Sequence, residues 1–270
     1  MITETIKLWD ESSYKDTGNT HFKPTLDTYI LGGDKKRGAV LICPGGGYNF
    51  TSPREAEPIA LQFNAASYDA FVLNYSVNPN LHPKPILDLS KAMNIIRENA
   101  DKWNIDNNKI AVCGFSAGGH LAASLGVHWD KSYLNGTPKM NKPNALILGY
   151  PVITSGDYAH RGSFNCLLGK NPGESVLLDM SLEKHVSSIT PPTFLWHTSN
   201  DGSVPVENTL LFANALSENK IPFELHIYPD GPHGLSLANE ETEENGMGVF
   251  PHVATWMQLC IQWLNLLFSL

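Results

Sequence analysis

Lys109–Val127, KIAVC-GFSAG-GHLAASLGV, is the stretch on which the fold turns. Lys109–Cys113 is a short apolar run that reads as a buried strand, and Ser116–Val127 reads as a helix. Between them lies Gly114-Phe115-Ser116-Ala117-Gly118. A serine flanked by glycines on a strand-to-helix turn is the arrangement of a nucleophile elbow. The chain must reverse sharply, and glycines two places either side of Ser116 let neighbouring backbone come close. The serine is then held in a strained turn with Oγ exposed. The Ala117 N–H opens the helix, where the dipole favours negative charge. GxSxG alone is a weak pattern, and the bland reading is a surface turn with a spare serine. The strand before it and the helix after it give the pattern its weight.

A serine hydroxyl is a poor nucleophile without a base. Of ten histidines, His233 stands out in Tyr228-Pro229-Asp230-Gly231-Pro232-His233-Gly234, a Pro/Gly-rich turn after a late strand. His252 sits where the final helix begins, and His120 shares a helix with Ser116 and cannot aim at its Oγ. The acid that orients the base should lie between serine and histidine in the chain. Asp201 occupies that place, in the turn Ser199-Asn200-Asp201-Gly202-Ser203 after the strand TFLW and before a helix near Pro205. Its expected role is to fix the His233 tautomer and stabilise the imidazolium. Asp230 is only three residues from His233 and reads as a turn former, and Glu207 reads as a first-turn helix charge.

A developing oxyanion needs donors. Pro44-Gly45-Gly46-Gly47-Tyr48 ends the apolar run Gly38–Cys43, and side-chain-free glycines let main-chain N–H groups face a site. Gly46, Gly47 and Ala117 are the expected oxyanion donors. Ser52-Pro53-Arg54-Glu55 then has the form of a capping box, with proline at the first helical position, and predicts a helix over 53–65.

Further out, strands and helices alternate. Strands are expected at 3–9, 25–31, 38–43, 70–75, 109–113, 145–150, 193–197 and 223–228, with helices at 86–101, 116–127 and 206–216. Alternation of this kind implies a mostly parallel sheet flanked by helices, with chemistry at the C-terminal strand ends. Residues 151–191 break the rhythm, are rich in glycine and proline, and read as a small irregular cap. Tyr48, Tyr150, His160, Arg161, Phe164, Val204 and Leu235 are the candidate pocket residues. The whole chain, 1–270, reads as one domain.

Composition narrows the function classes. Hydrophobic residues make up 42% and charged residues 17%, an ordinary globular balance. A net charge of −8 with no Lys/Arg cluster argues against nucleic acid and anionic lipid. No His/Cys/carboxylate spacing suited to a metal appears, and no nucleotide-binding glycine motif, so neither metal nor cofactor is expected. Four scattered cysteines suggest reduced thiols: Cys43 and Cys113 in strands, Cys166 in a loop, Cys260 in a helix. The N-terminus lacks a basic region followed by an apolar run, so no signal peptide is expected, and the expected location is the cytoplasm. Residues 253–270 are nearly apolar but are interrupted by Gln258, Gln262 and Asn265, which favours a docked helix over a membrane span. A second stripe on that helix, Leu259, Trp263, Leu266 and Leu270, is expected to meet another subunit or a neighbouring element.

PGGGY, GFSAGGHLA, SNDGSVPVENT and YPDGPHGLSLA, with Arg54-Glu55-Ala56-Glu57-Pro58, together give a resemblance. The chain resembles the esterase/lipase branch of the α/β-hydrolases that holds bacterial acetyl-xylan esterase-like and feruloyl-esterase-like (BD-FAE-type) proteins, over about residues 38–265. The resemblance implies the α/β-hydrolase fold and a triad on Ser116, Asp201 and His233. It places the glycine oxyanion loop on Gly46 and Gly47. Many relatives have histidine at the head of that loop, where this chain has Pro44. The implied activity is hydrolysis of short acyl esters, with acetylated oligosaccharides as substrates. Two other readings compete. One is a prolyl-oligopeptidase-like peptidase, against which the lack of a propeller or large N-terminal domain counts. The other is an inactive binding protein of the same fold, against which the intact triad counts.

Overall fold

The computed structural model describes residues 1–10, 13–18, 21–134, 140–244, 246 and 248–269. Eight strands form one sheet in the order β1-β2-β4-β3-β5-β6-β7-β8. They are β1 (Thr5–Lys7), β2 (Thr25–Tyr29), β3 (Arg37–Cys43), β4 (Asp69–Asn74), β5 (Ile105–Phe115), β6 (Ala145–Gly149), β7 (Thr193–Thr198) and β8 (Phe223–Tyr228). β2 runs antiparallel to both β1 and β4, and every pairing from β4 across to β8 is parallel.

The parallel strands are buried along nearly their whole length in β3, β4, β6 and β7, which is why their sequences are continuous apolar runs. Alternate residues feed two cores. Ala39, Leu41 and Cys43 face the layer holding α2 (Lys84–Glu98), α3 (Ser116–His128) and α6 (Glu207–Glu218). Val40 and Ile42 face the layer holding α1 (Glu57–Ala65) and α7 (Pro251–Ser269). Helices on both faces leave only the strand ends open.

Residues 151–191 leave the sheet between β6 and β7. They carry α4 (Arg161–Leu168), α5 (Glu174–Asp179) and a 3-10 turn at Leu182–Lys184. Phe164, Leu167, Met180 and Leu182 anchor this cap in the α2/α3 core. Cys166 therefore lies in a helix, not in a loop as expected from sequence.

Two other expectations change. The segment 53–65 is not one capped helix. Pro53–Glu55 is a separate 3-10 turn without a side-chain cap from Ser52, and α1 begins at Glu57. The Ser52 N–H is already bonded to the Gly45 carbonyl, and the Glu55 carboxylate is used elsewhere, so neither half of a capping box forms. The second apolar stripe of the last helix is mostly internal: Trp263 is buried and Leu259 packs on the core, leaving Leu266 exposed. That stripe therefore meets a neighbouring element along most of its length. Leu270 lies outside the described residues. Among the described residues no helix is long and apolar enough to cross a membrane.

Candidate active site

Five strand ends converge at the C-terminal edge of the sheet. β5 delivers Ser116, β3 the glycine loop, β6 Tyr150, β7 the Asp201 turn and β8 the His233 turn. Ser116 has φ +53, a left-handed conformation that is strained for a residue with a side chain. Close packing holds it there. A Cβ on Gly114 would fall 2.2 Å from the Gly118 carbonyl oxygen, and one on Gly118 would fall 2.1 Å from the Cys43 carbonyl oxygen. The glycines are thus required by space on both sides of the turn.

The structure brings Ser116, His233 and Asp201 into one hydrogen-bonded chain. Ser116 Oγ donates to His233 Nε2 at 2.8 Å. His233 Nδ1 donates to Asp201 Oδ2 at 2.6 Å. These directions follow from the partners: an ionised carboxylate only accepts, so the His233 proton sits on Nδ1 and Nε2 is left to accept. Asp201 Oδ1 accepts the N–H groups of Ser203 and Val204, each at 2.9 Å. Burial alone would raise the Asp201 carboxyl. Hydrogen bonds from His197, His233 and the Val204 N–H, with the charge of His233, outweigh it and hold the group well below the usual carboxylate range. Ser116 is 7% exposed and the His233 side chain 20%.

The glycine loop lies against the serine: a Cβ on Gly45 would come within 3.0 Å of Ser116 Cβ. The Gly45 N–H is committed to Glu55 Oε2 at 2.7 Å. Among the described residues, the N–H groups of Gly46 and Gly47 have no intramolecular acceptor. The Ala117 N–H belongs to the first turn of α3 and is unpaired for the same reason as in any helix. Gly46 and Gly47, in the loop whose Gly45 lies against the serine, and Ala117, the residue after it, thus keep unpaired N–H groups.

The expected pocket residues divide. His160 is half-buried at the start of α4, where its Nδ1 accepts the Ser163 N–H. Burial and the nearby His233 charge lower its pKa, although Asp201 acts the other way. Arg161 is exposed but tied to the carbonyls of Ser155 and Gly156, each at 2.8 Å. The others are buried: Tyr48, Tyr150, Phe164, Val204 and Leu235. Tyr48 turns inward to bond His120 Nδ1 at 2.9 Å. Tyr150 lies edge-on beneath the His233 ring, with centroids 5.0 Å apart. Of the rejected candidates, Asp230 bonds Asn200 at 2.6 Å in its turn, and His252 packs on Tyr228.

Sequence reading missed two participants. His197 Nε2 meets Asp201 Oδ2, the oxygen that also takes His233, at 3.2 Å. Glu55 accepts the Gly45 N–H at the root of the glycine loop. For His197, the signal was a histidine at the end of an otherwise apolar strand. For Glu55, it was an acid inside a short motif that had a simpler local explanation. Among the described residues, no group of three His, Cys, Asp or Glu side chains could hold a metal ion.

The model of the BD-FAE family matches residues 26–216. The chain is similar to endo-1,4-beta-xylanase B of Butyrivibrio fibrisolvens, with 44% identity over 87% of this chain and 38% of that protein. It is also similar to the acetylxylan esterase of Xylanibacter ruminicola, with 32% identity over 74% of this chain and 41% of that protein. The chain thus spans about two fifths of the length of these curated relatives. Over nearly full length it superposes on the crystal structure of the acetyl ester-xyloside bifunctional hydrolase from Caldicellulosiruptor lactoaceticus. The identity is 43% and the TM-score 0.88, covering 97% of this chain and 95% of that one. With its sheet order, its strand-end site and these matches, the chain belongs to the BD-FAE family within the α/β-hydrolases.

Proposed function

We propose that the protein is a serine esterase that removes short acyl groups, foremost acetyl, from acetylated xylo-oligosaccharides. One observation carries the reading: the unbroken chain Ser116–His233–Asp201, at 2.8 and 2.6 Å, ends beside unpaired glycine N–H groups. The similarity to an acetylxylan esterase and to an acetyl ester-xyloside hydrolase supports the choice of acyl group and sugar.

In the proposed reaction, Ser116 Oγ attacks the ester carbonyl as His233 Nε2 takes its proton. The imidazolium is stabilised by the Asp201 carboxylate. Negative charge moves to the carbonyl oxygen, which the N–H groups of Gly46, Gly47 and Ala117 receive; one such donor contributes about 10²- to 10³-fold in rate. Collapse expels the sugar alkoxide, which takes the proton back from His233. Water, deprotonated by the same nitrogen, then releases acetate and restores Ser116. The reaction uses only these side chains, backbone donors and water.

We place the protein in the cytoplasm as a single domain, and the four free thiols support that location. The test is acetate release from acetylated xylo-oligosaccharides and from p-nitrophenyl acetate, compared with Ser116→Ala. The reading requires both substrates to turn over and the variant to lose at least about 10³-fold in kcat. Turnover that survives in Ser116→Ala, or cleavage of proline-containing peptides without ester hydrolysis, would overturn it.

A further inference from the structure

Glu55 is a carboxylate placed where a carboxylate is costly. The residue is 4% exposed, and among the described residues no lysine or arginine forms an ion pair with it. Burial pushes its pKa up, although hydrogen bonds from Tyr150 and Gly45 and the charges of His233 and Arg54 act the other way. Replacing a buried charge by a well-packed apolar residue is often neutral or stabilising, so stability alone does not account for an acid here.

Its partners do. Oε2 accepts the Gly45 N–H at 2.7 Å, at the root of the glycine loop. Oε1 accepts the Tyr150 hydroxyl at 2.5 Å. Tyr150 Oη in turn accepts the Ser236 N–H at 2.9 Å, three residues beyond His233. Tyr150 thus accepts from Ser236 and donates its one proton to the Glu55 carboxylate. The return path also closes, since Ser236 Oγ donates to the Arg54 carbonyl at 2.5 Å. Glu55 therefore joins the loop expected to carry the oxyanion donors to the loop carrying His233, through a tyrosine whose ring lies beneath the His233 imidazole.

We propose that Glu55 is a positioning residue for the esterase step, which holds the oxyanion loop and the His233 loop in one frame through Gly45 and Tyr150. This rests on the esterase reading above. Glu55 touches neither substrate nor reacting atoms. It acts by keeping the donors and the base at fixed separation, where a displacement of about 1 Å can cost about 10²-fold. Its negative charge also faces the side of the site where His233 becomes cationic in the transition state.

The test uses Glu55→Gln, which keeps the shape but loses the charge and one acceptor, and Tyr150→Phe, which removes the hydroxyl bonded to both Glu55 and Ser236 and leaves the Glu55–Gly45 bond in place. Kinetics with p-nitrophenyl acetate are combined with inhibition by a small boronic acid, which forms a tetrahedral adduct on the serine. Both variants should stay folded, lose about 10- to 100-fold in kcat with KM within about twofold, and bind the boronate more weakly by the factor lost in kcat/KM. Wild-type kcat in either variant overturns the proposal, as does a loss in kcat with unchanged boronate affinity. Should Glu55→Gln fail to fold, Tyr150→Phe decides alone by the same criteria. Ser116→Ala in the same assay separates the two claims. If it retains activity, the esterase reading fails. If it is inactive while Glu55→Gln and Tyr150→Phe match wild type, only the role of Glu55 fails.

Discussion

His197 reaches the same Asp201 carboxylate oxygen that His233 uses, with Nε2 3.2 Å from Oδ2, and both side chains are fully buried. Nε2 also faces the Val204 carbonyl at 3.0 Å, so it carries the proton. Nδ1 is then the acceptor for the Thr209 hydroxyl at 2.7 Å. The His197 ring is fixed at both ends. Together with His233 and two backbone N–H groups, it surrounds Asp201 with donors and keeps it ionised.

His197→Phe keeps the ring and removes the donors. The Thr209 hydroxyl and the Val204 carbonyl lose a buried partner, at about 1–3 kcal/mol each where no water replaces it. Chemical unfolding should show a loss in that range, and kcat/KM should fall by about tenfold as the Asp201 carboxylate loosens. Wild-type stability with wild-type kinetics would show that His197 is a bystander.

Space sets a sharp contrast between two glycines. A Cβ on Gly118 would sit 2.1 Å from the Cys43 carbonyl oxygen and 2.4 Å from that of Pro44, whereas a Cβ on Gly202 meets nothing within 4 Å. Backbone cannot give way as a flexible side chain can. Gly118→Ala should therefore cost about 3 kcal/mol or more, or yield no soluble protein, while Gly202→Ala stays within about 0.5 kcal/mol of wild type. Thermal unfolding of the two variants checks both.

His120 gives a pH dependence with a defined sign. It lies fully buried between the Tyr48 hydroxyl and the Met180 carbonyl, and burial brings its pKa down from 6.5 to about 4, with His82 and His128 adding to the effect and the Met180 bond opposing it. The folded pKa is below the unfolded one, so the unfolded chain binds the proton first as pH falls. Stability that is present above about pH 6.5 is lost between there and pH 4, by about 3 kcal/mol for this one group. Asp69 and Asp88, both raised to about 6 by burial, act in the opposite direction, so the whole-protein curve does not isolate the effect. The difference between wild type and His120→Phe does. Urea unfolding at pH 7 and pH 4.5 should show wild type losing ground to the variant at the lower pH.

The β5–α3 unit and the strand-end loops were legible because their signals are local. An apolar run, a glycine-flanked serine and a helical stretch follow one another in a single segment, and Asp201 and His233 each sit in a polar turn after a strand. Glu55 shows where local reading ends. Ser-Pro-Arg-Glu has the spacing of a capping box, yet the carboxylate is claimed by a tyrosine 95 residues away. Side-chain direction lies beyond local reading in the same way. Tyr48, Tyr150 and Leu235 lie next to the motifs in sequence, but the direction of a side chain at a strand end depends on tertiary packing, and here the core takes all three. His197 was hidden by the opposite circumstance, a polar ring in a fully buried strand, whose purpose is visible only once Asp201 folds back onto it.

The central claim is that Ser116 is the attacking group, activated by His233. Peptide mass mapping after treatment with diisopropyl fluorophosphate tests it most directly, because the reagent records which hydroxyl is nucleophilic. A single adduct is expected on Ser116, none in Ser116→Ala, and labelling slowed by at least about 10²-fold in His233→Ala. An adduct on another serine, or an unlabelled Ser116 in protein that still releases acetate, would contradict it.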